Sequence, residues 1–210
     1  MKSKEEVISL IDSVFKEYSE SFKNSLTVLK VWPWTKEKVV IHEFNLVHRF
    51  LDAYQNQCKA GEVVPWMELP VYLEDKKLAH VDAFILDKTN KWAFFIEAKR
   101  LSHESQVESL KNDIDRIFKV IPILHEDEDR FKVIDWSEYK TYAIALADVW
   151  NHRGKWCKPY AEDWKNREVK KIVDGKEILL PLAESIDIKI DSPKGPKVDQ
   201  YHLLAALIPA

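Results

Sequence analysis

The chain predicts an α/β fold, a central mixed sheet of four strands flanked by helices, and three observations lead there. Short apolar or alternating runs near residues 67–73, 80–86, 92–96 and 139–148 have the length and composition of strands. Apolar residues spaced three and four apart over residues 4–22, 36–57 and 103–121 mark amphipathic helices. The core order, helix, three strands, helix, strand, mixes both kinds of element within one unit.

Each element has its own justification. Val7, Leu10, Ile11, Val14, Phe15, Tyr18 and Phe22 share a helical stripe, predicting an N-terminal helix that packs on the core or on a second subunit. Leu26 to Trp34 reads as a short strand or an extended linker. In the next helix Glu43, Val47, Phe50 and Tyr54 follow one another at spacings of four, three and four, which puts an acid on the apolar face. Met67 to Leu73 is the first strand. His80 to Leu101, HVDAFILDKTNKWAFFIEAKRL, is a hairpin of two apolar strands around a polar turn at Asp87 to Lys91. Its second strand is apolar throughout from Trp92 to Ile96, as expected of a strand buried on both faces. Val107, Leu110, Ile114, Ile117, Phe118 and Ile121 form the stripe of the following helix, which Pro122 is expected to close. Glu126 to Arg130 is a charged turn and Tyr139 to Asp148 another core strand. Lys170 to Leu182 can form a hairpin around Asp174-Gly175, and Tyr201 to Ala210 is an apolar strand or core segment. The expected organisation is a single domain over residues 1–210: a core at 36–148, an N-terminal helical extension at 1–35 and C-terminal additions at 149–210.

Composition narrows the function classes. At 210 residues and 46% hydrophobic the chain can bury one sizeable core. It contains no run approaching a membrane span, and the N-terminal MKSKEEVISL is unlike a signal peptide, so a cytoplasmic location and no membrane partner are expected. Cys58 and Cys157 lack any CxxC or Cys/His context and read as inert thiols. Four glycines leave little material for phosphate-binding loops, which disfavours a nucleotide-driven motor. A net charge of −3 excludes a broadly basic nucleic-acid binder and leaves room for a local basic groove.

The hairpin carries the chemistry. A strand period of two puts Glu97 and Lys99 on one face. Antiparallel pairing through the turn brings Asp82 beside Glu97. Two neighbouring carboxylates repel unless neutralised, and a hard divalent cation with oxygen ligands, Mg²⁺ or Mn²⁺, does this well. The plain alternative for Glu97 and Lys99 is a cross-strand ion pair at a strand end. Acid-X-Lys triplets recur elsewhere in so charged a chain, and Asp187-Ile188-Lys189 is the strongest rival. It follows a segment containing Glu184 and Ser185 and runs into Ser192-Pro193 instead of a helix, so context favours the triplet at Glu97.

Asp82 followed by Glu97-Ala98-Lys99 on adjacent strands resembles the PD-(D/E)XK nuclease superfamily over roughly residues 36–148. Val81 stands where the motif often has proline. The resemblance implies a restriction-endonuclease-like fold and a Mg²⁺-dependent nuclease that hydrolyses phosphodiester bonds, with DNA and not RNA as the expected substrate. It implies that Asp82, Glu97 and the backbone carbonyl of Ala98 hold the metal, and that Lys99 orients or deprotonates the attacking water. Glu43 matches a first-helix acid that reaches the metal through water, or else is an ordinary first-turn acid favoured by the helix dipole. Gln106 lies where relatives carry a polar residue, a solvated glutamine being the plainer reading. Arg100, Arg116 and Lys119 could track a phosphate backbone, as could Arg153 and Lys155 in the aromatic-rich segment Trp150 to Tyr160. There the plainer reading is a loop whose tryptophans pack on the domain. Many relatives dimerise, so a homodimer is an expectation of family habit. The rival function is a catalytically silent protein of the same fold, acting as a nucleic-acid-binding or protein-interaction module.

Overall fold

A computed structural model of the chain describes residues 2–29, 43–59, 61–73, 78–126, 134–150, 164, 169–173, 175–190 and 197–210. Two helices, α1 (Lys4–Leu29) and α2 (Glu43–Asn56), precede three strands, β1 (Val63–Tyr72), β2 (Leu78–Asp87) and β3 (Trp92–Arg100). Then come α3 (Glu104–Glu126), a 3-10 turn (Trp136–Glu138), β4 (Lys140–Trp150), a short α4 (Val169–Val173), β5 (Leu180–Ile190) and β6 (Lys197–Pro209).

The sheet has six strands, not the four expected, in the order β1-β2-β3-β4-β6-β5. Only β3 and β4 run parallel, because α3 carries the chain back across the sheet between them. The other neighbours are antiparallel. The C-terminal strand is an inner strand: β6 pairs with β4 on one side and β5 on the other, and Leu203 to Ile208 are buried.

Strand alternation divides the core into two layers. Trp92, Phe94, Ile96 and Ala98 of β3 face the side covered by α1 and α2. Ala93 and Phe95 face the side covered by α3 and α4, where Leu110, Ile114, Ile117 and Leu124 pack. Burial on both faces accounts for the continuous apolar run in β3.

Several local expectations need correction. Leu26, read as strand or linker, is a buried residue of α1, on the stripe that continues from Phe22. Pro122 does not end α3. The proline lies on the exposed side, while the next turn buries Leu124 against the sheet and gains more than the missing backbone bond loses. Residues 169–173 are a helical turn burying Val169, Ile172 and Val173, where a hairpin was expected. Cys58 is a half-buried free thiol, pushed up to about 11 by burial and by Asp87 and Glu62. Cys157 and the segment 151–160 lie outside the described residues. Among the described residues no helix is long and apolar enough to cross a membrane.

The feature that makes a site is a parting of strands. The β2–β3 ladder runs from Asp87 opposite Trp92 to Ala83 opposite Ile96 and stops, while β3 continues against β4 as far as Arg100 opposite Asp148. The β1–β2 ribbon twists at the same level. Glu68 has a φ of 53°, uncommon for a residue with a side chain. On either side of it the ribbon changes face: Ala83 packs with the α1 and α2 layer, whereas Leu69, Val71 and Val81 pack with α3. The outer ribbon thus rolls over α3 and leaves one edge of β3 without a strand partner at its end.

Candidate functional site

Two carboxylates fill the edge that β2 vacates. In extended chain the N–H and C=O of one residue leave the strand on the same side, and every second residue repeats that side. At Ala98 and Arg100 this is the side away from β4's continuing ladder, so both N–H groups need new acceptors. Asp82 Oδ2 takes the Ala98 N–H at 2.8 Å, and Glu43 Oε1 takes the Arg100 N–H at 2.9 Å. One further step of the β2–β3 register sets Asp82 opposite Glu97. The Ala98 carbonyl leaves the strand beside Asp82.

Glu97 and Lys99 face α3. Glu97 is 2% exposed, and its Oε1 receives Arg116 Nη2 at 2.8 Å. Arg116 Nη1 also lies 3.0 Å from Asp113 Oδ1, and Lys99 Nζ lies 3.3 Å from Asp113 Oδ2 and 4.0 Å from Glu43 Oε2. The sequence-predicted Asp82, Glu97, Lys99 and Glu43 are therefore brought together at one end of β3. Asp113 was not anticipated, although it ties Lys99 to α3 and also pairs with Arg116 on the same helix. A charged pair one helical turn apart, flanking Ile114 and Ile117, was the available signal.

Electrostatics at the pair are those of acids crowded out of water. Burial and the Asp82 charge push the Glu97 carboxyl up to about 9, against the opposing pull of Arg116. Asp82 is raised by burial, with the Ala98 N–H and a hydrogen bond to Glu97 working the other way. Crowding of this kind favours one proton held between the two acids over two free carboxylates. At Lys99 burial favours the neutral amine, but Asp113 and Glu43 outweigh it and hold the ammonium charged beyond its usual range.

Beneath the site, on the α1 and α2 face, lies a buried network that sequence reasoning missed. Asp148 is 0% exposed and accepts Arg100 Nη2 at 2.6 Å, Arg100 Nε at 3.0 Å and the Tyr201 hydroxyl at 2.8 Å. It anchors the Arg100 side chain while Glu43 anchors the Arg100 backbone. Burial raises the Asp148 carboxyl, and Arg100 opposes the shift.

The remaining candidates separate. Gln106 Oε1 accepts both the Ser102 N–H (2.6 Å) and the Ser102 hydroxyl (2.7 Å), which ties down the entry to α3 and places it with neither the acids nor the cations. Lys119 is exposed on α3. Arg153 and Lys155 lie outside the described residues. Among the described residues no group of three or more His, Cys, Asp and Glu side chains is set to hold a metal ion. Two carboxylates and a carbonyl nevertheless suit Mg²⁺, which commonly takes one or two carboxylates and completes its shell with water and substrate phosphate. Comparison with protein-family models, curated proteins and solved structures returned no match.

Proposed function

We propose that this protein is a metal-dependent nuclease of the PD-(D/E)XK type, with a restriction-endonuclease-like core, acting on phosphodiester bonds and expected to prefer DNA. The observation that carries the reading is the opening at the end of β3, where Asp82, Glu97, Lys99 and Glu43 converge. Asp82, Glu97 and the Ala98 carbonyl would hold Mg²⁺ or Mn²⁺, which supplies Lewis acidity toward the phosphate and a water of lowered pKa.

The chain's own groups do the rest. Lys99, kept protonated by Asp113 and Glu43, orients the attacking water and offsets charge that gathers on the non-bridging oxygens. Of the two roles its position allows, orientation fits better than proton abstraction, because an ammonium has no free lone pair. Glu43 holds the β3 backbone at Arg100 and stands 4.0 Å from Lys99, which limits where the ammonium can point.

One observation favours the catalytically silent alternative: Lys99 and Arg116 are both engaged by the site's own acids. Incubation with supercoiled, linear and single-stranded DNA and with RNA, in Mg²⁺, Mn²⁺ or EDTA, separates the readings. A nuclease cleaves in either metal, is stopped by EDTA, and loses cleavage by about a hundredfold or more in Glu97→Gln and Lys99→Ala. Full activity in Lys99→Ala overturns the assigned mechanism, and absence of cleavage together with absence of metal binding favours the silent module.

A further inference from the structure

Arg116 stands where a divalent ion would meet a competitor. Its Nη2 is 2.8 Å from Glu97 Oε1 and its Nη1 3.0 Å from Asp113 Oδ1. Glu97 is one of the two carboxylates assigned above to the ion, whereas Asp113, one turn earlier on α3, is not. A dication and a guanidinium on the same carboxylate repel each other strongly across a few ångströms of poorly solvated space. Glu97 is therefore the point at which ion and arginine compete for the negative charge that the Asp82 and Glu97 pair carries.

Once Glu97 is lost, what remains to the arginine is poor. The His80 carbonyl at 3.3 Å is a long contact, and Asp113 is already shared with Lys99. Arg116 Nε is buried without a hydrogen-bond partner among the described residues even in the present pose. The side chain is 29% exposed and leaves the helix three residues before the exposed Lys119, on the same face. A displaced guanidinium thus has unsatisfied donors and a route to solvent beside another cation. A planar fork of donors matches the paired oxygens of a phosphate.

Resting on the nuclease reading, we propose that Arg116 is the internal counter-cation of the site: it offsets the charge of the Asp82 and Glu97 pair until a divalent ion takes Glu97, and the released guanidinium then holds a phosphate of the nucleic acid. Two effects of opposite sign follow. The arginine weakens binding of the ion alone, because the ion must displace it, and it strengthens binding of nucleic acid once the ion is present. Ion and nucleic acid promote each other through one side chain. A purely structural bridge has the opposite first sign, since removing it would loosen Glu97 and weaken the ion.

The test is calorimetric titration of Mn²⁺ into the wild-type chain, Arg116→Met and Arg116→Lys without nucleic acid, followed by anisotropy of a labelled short DNA duplex with and without Ca²⁺. Arg116→Met is expected to bind Mn²⁺ about tenfold tighter than wild type, with Arg116→Lys between them, and to lose most of the gain in duplex affinity that Ca²⁺ gives the wild type. Should Arg116→Met fail to fold, as seen in its circular dichroism, Arg116→Lys decides by the same sign. Unchanged or weaker Mn²⁺ binding in the folded variants overturns the assignment of Arg116 while leaving the nuclease reading intact, and so does an undiminished Ca²⁺-dependent gain in duplex affinity. No Mn²⁺ binding by the wild type overturns the metal site, and this assignment with it.

Discussion

Replacing Glu97 with glutamine should remove much of the pH dependence of stability across the neutral range. In the native protein burial and Asp82 carry this carboxyl from its ordinary 4.5 up to about 9. Between those values the native state holds a proton that the unfolded chain has released. Stability contributed by the neutral acid is complete below about 4.5 and is lost as pH rises through the native value. One pH unit inside the window is worth at most about 1.4 kcal/mol, so the wild type should lose on the order of 2–3 kcal/mol at most relative to Glu97→Gln between about pH 6 and about pH 8. Asp148, also raised, is common to both proteins, so the difference between the two reports the coupled Asp82 and Glu97 pair. Urea unfolding at intervals across the window gives the comparison directly. Mg²⁺ added near pH 8 should recover part of the wild-type loss, since an ion that binds only the folded state stabilises it, and should do much less for the variant. Stability curves that run parallel for the two proteins would refute the reasoning, because they would mean that the Asp82 and Glu97 pair takes up no proton on folding.

Two further outcomes follow from the same geometry. Asp148→Ala leaves the Arg100 guanidinium buried without its counter-charge and the Tyr201 hydroxyl without its acceptor, and should cost about 3–5 kcal/mol in urea unfolding; a loss under about 1 kcal/mol would show that water replaces the carboxylate freely. Ca²⁺ should occupy the Asp82 and Glu97 oxygens yet support little turnover, because its larger and looser shell positions water poorly, and equal cleavage rates in Ca²⁺ and Mg²⁺ would contradict the assigned geometry.

The hairpin was legible because its determinants are local. A period of two, a turn of known length and an apolar run between them suffice to place Asp82 beside Glu97 and to put Lys99 on the same face. Glu43 was half legible: a helical stripe showed an acid on an apolar face, but not that its partner would be the Arg100 N–H. The strand count failed for a related reason. The last strand is apolar enough to be read as core, yet its place between β4 and β5 depends on pairing across long sequence separations that no periodicity encodes. Pro122 misled because a local rule was applied without the burial of Leu124 that overrides it.

Asp113, Arg116, Asp148 and Tyr201 share one reason for having been missed or only half read. Each acquires its role from the way a second element crosses β3, and the crossing, not the residue, determines which charges meet. Asp148 could have been flagged, since an acid inside YAIALADVW sits where strand residues are buried and must find a partner. The partner it finds is the residue that follows the acid-X-Lys triplet. Arg100 then serves both layers: its N–H is capped by Glu43 at the opening, and its side chain is clamped by Asp148 and Tyr201 beneath. With β2 gone from its side, the end of β3 is held by side-chain carboxylates in place of a ladder. The same parting that leaves Asp82, Glu97 and the Ala98 carbonyl together beside an unpaired edge removes half of the backbone pairing from that strand end; β4 still pairs its other edge, and Glu43 and Asp148 fix Arg100 where β2 no longer does.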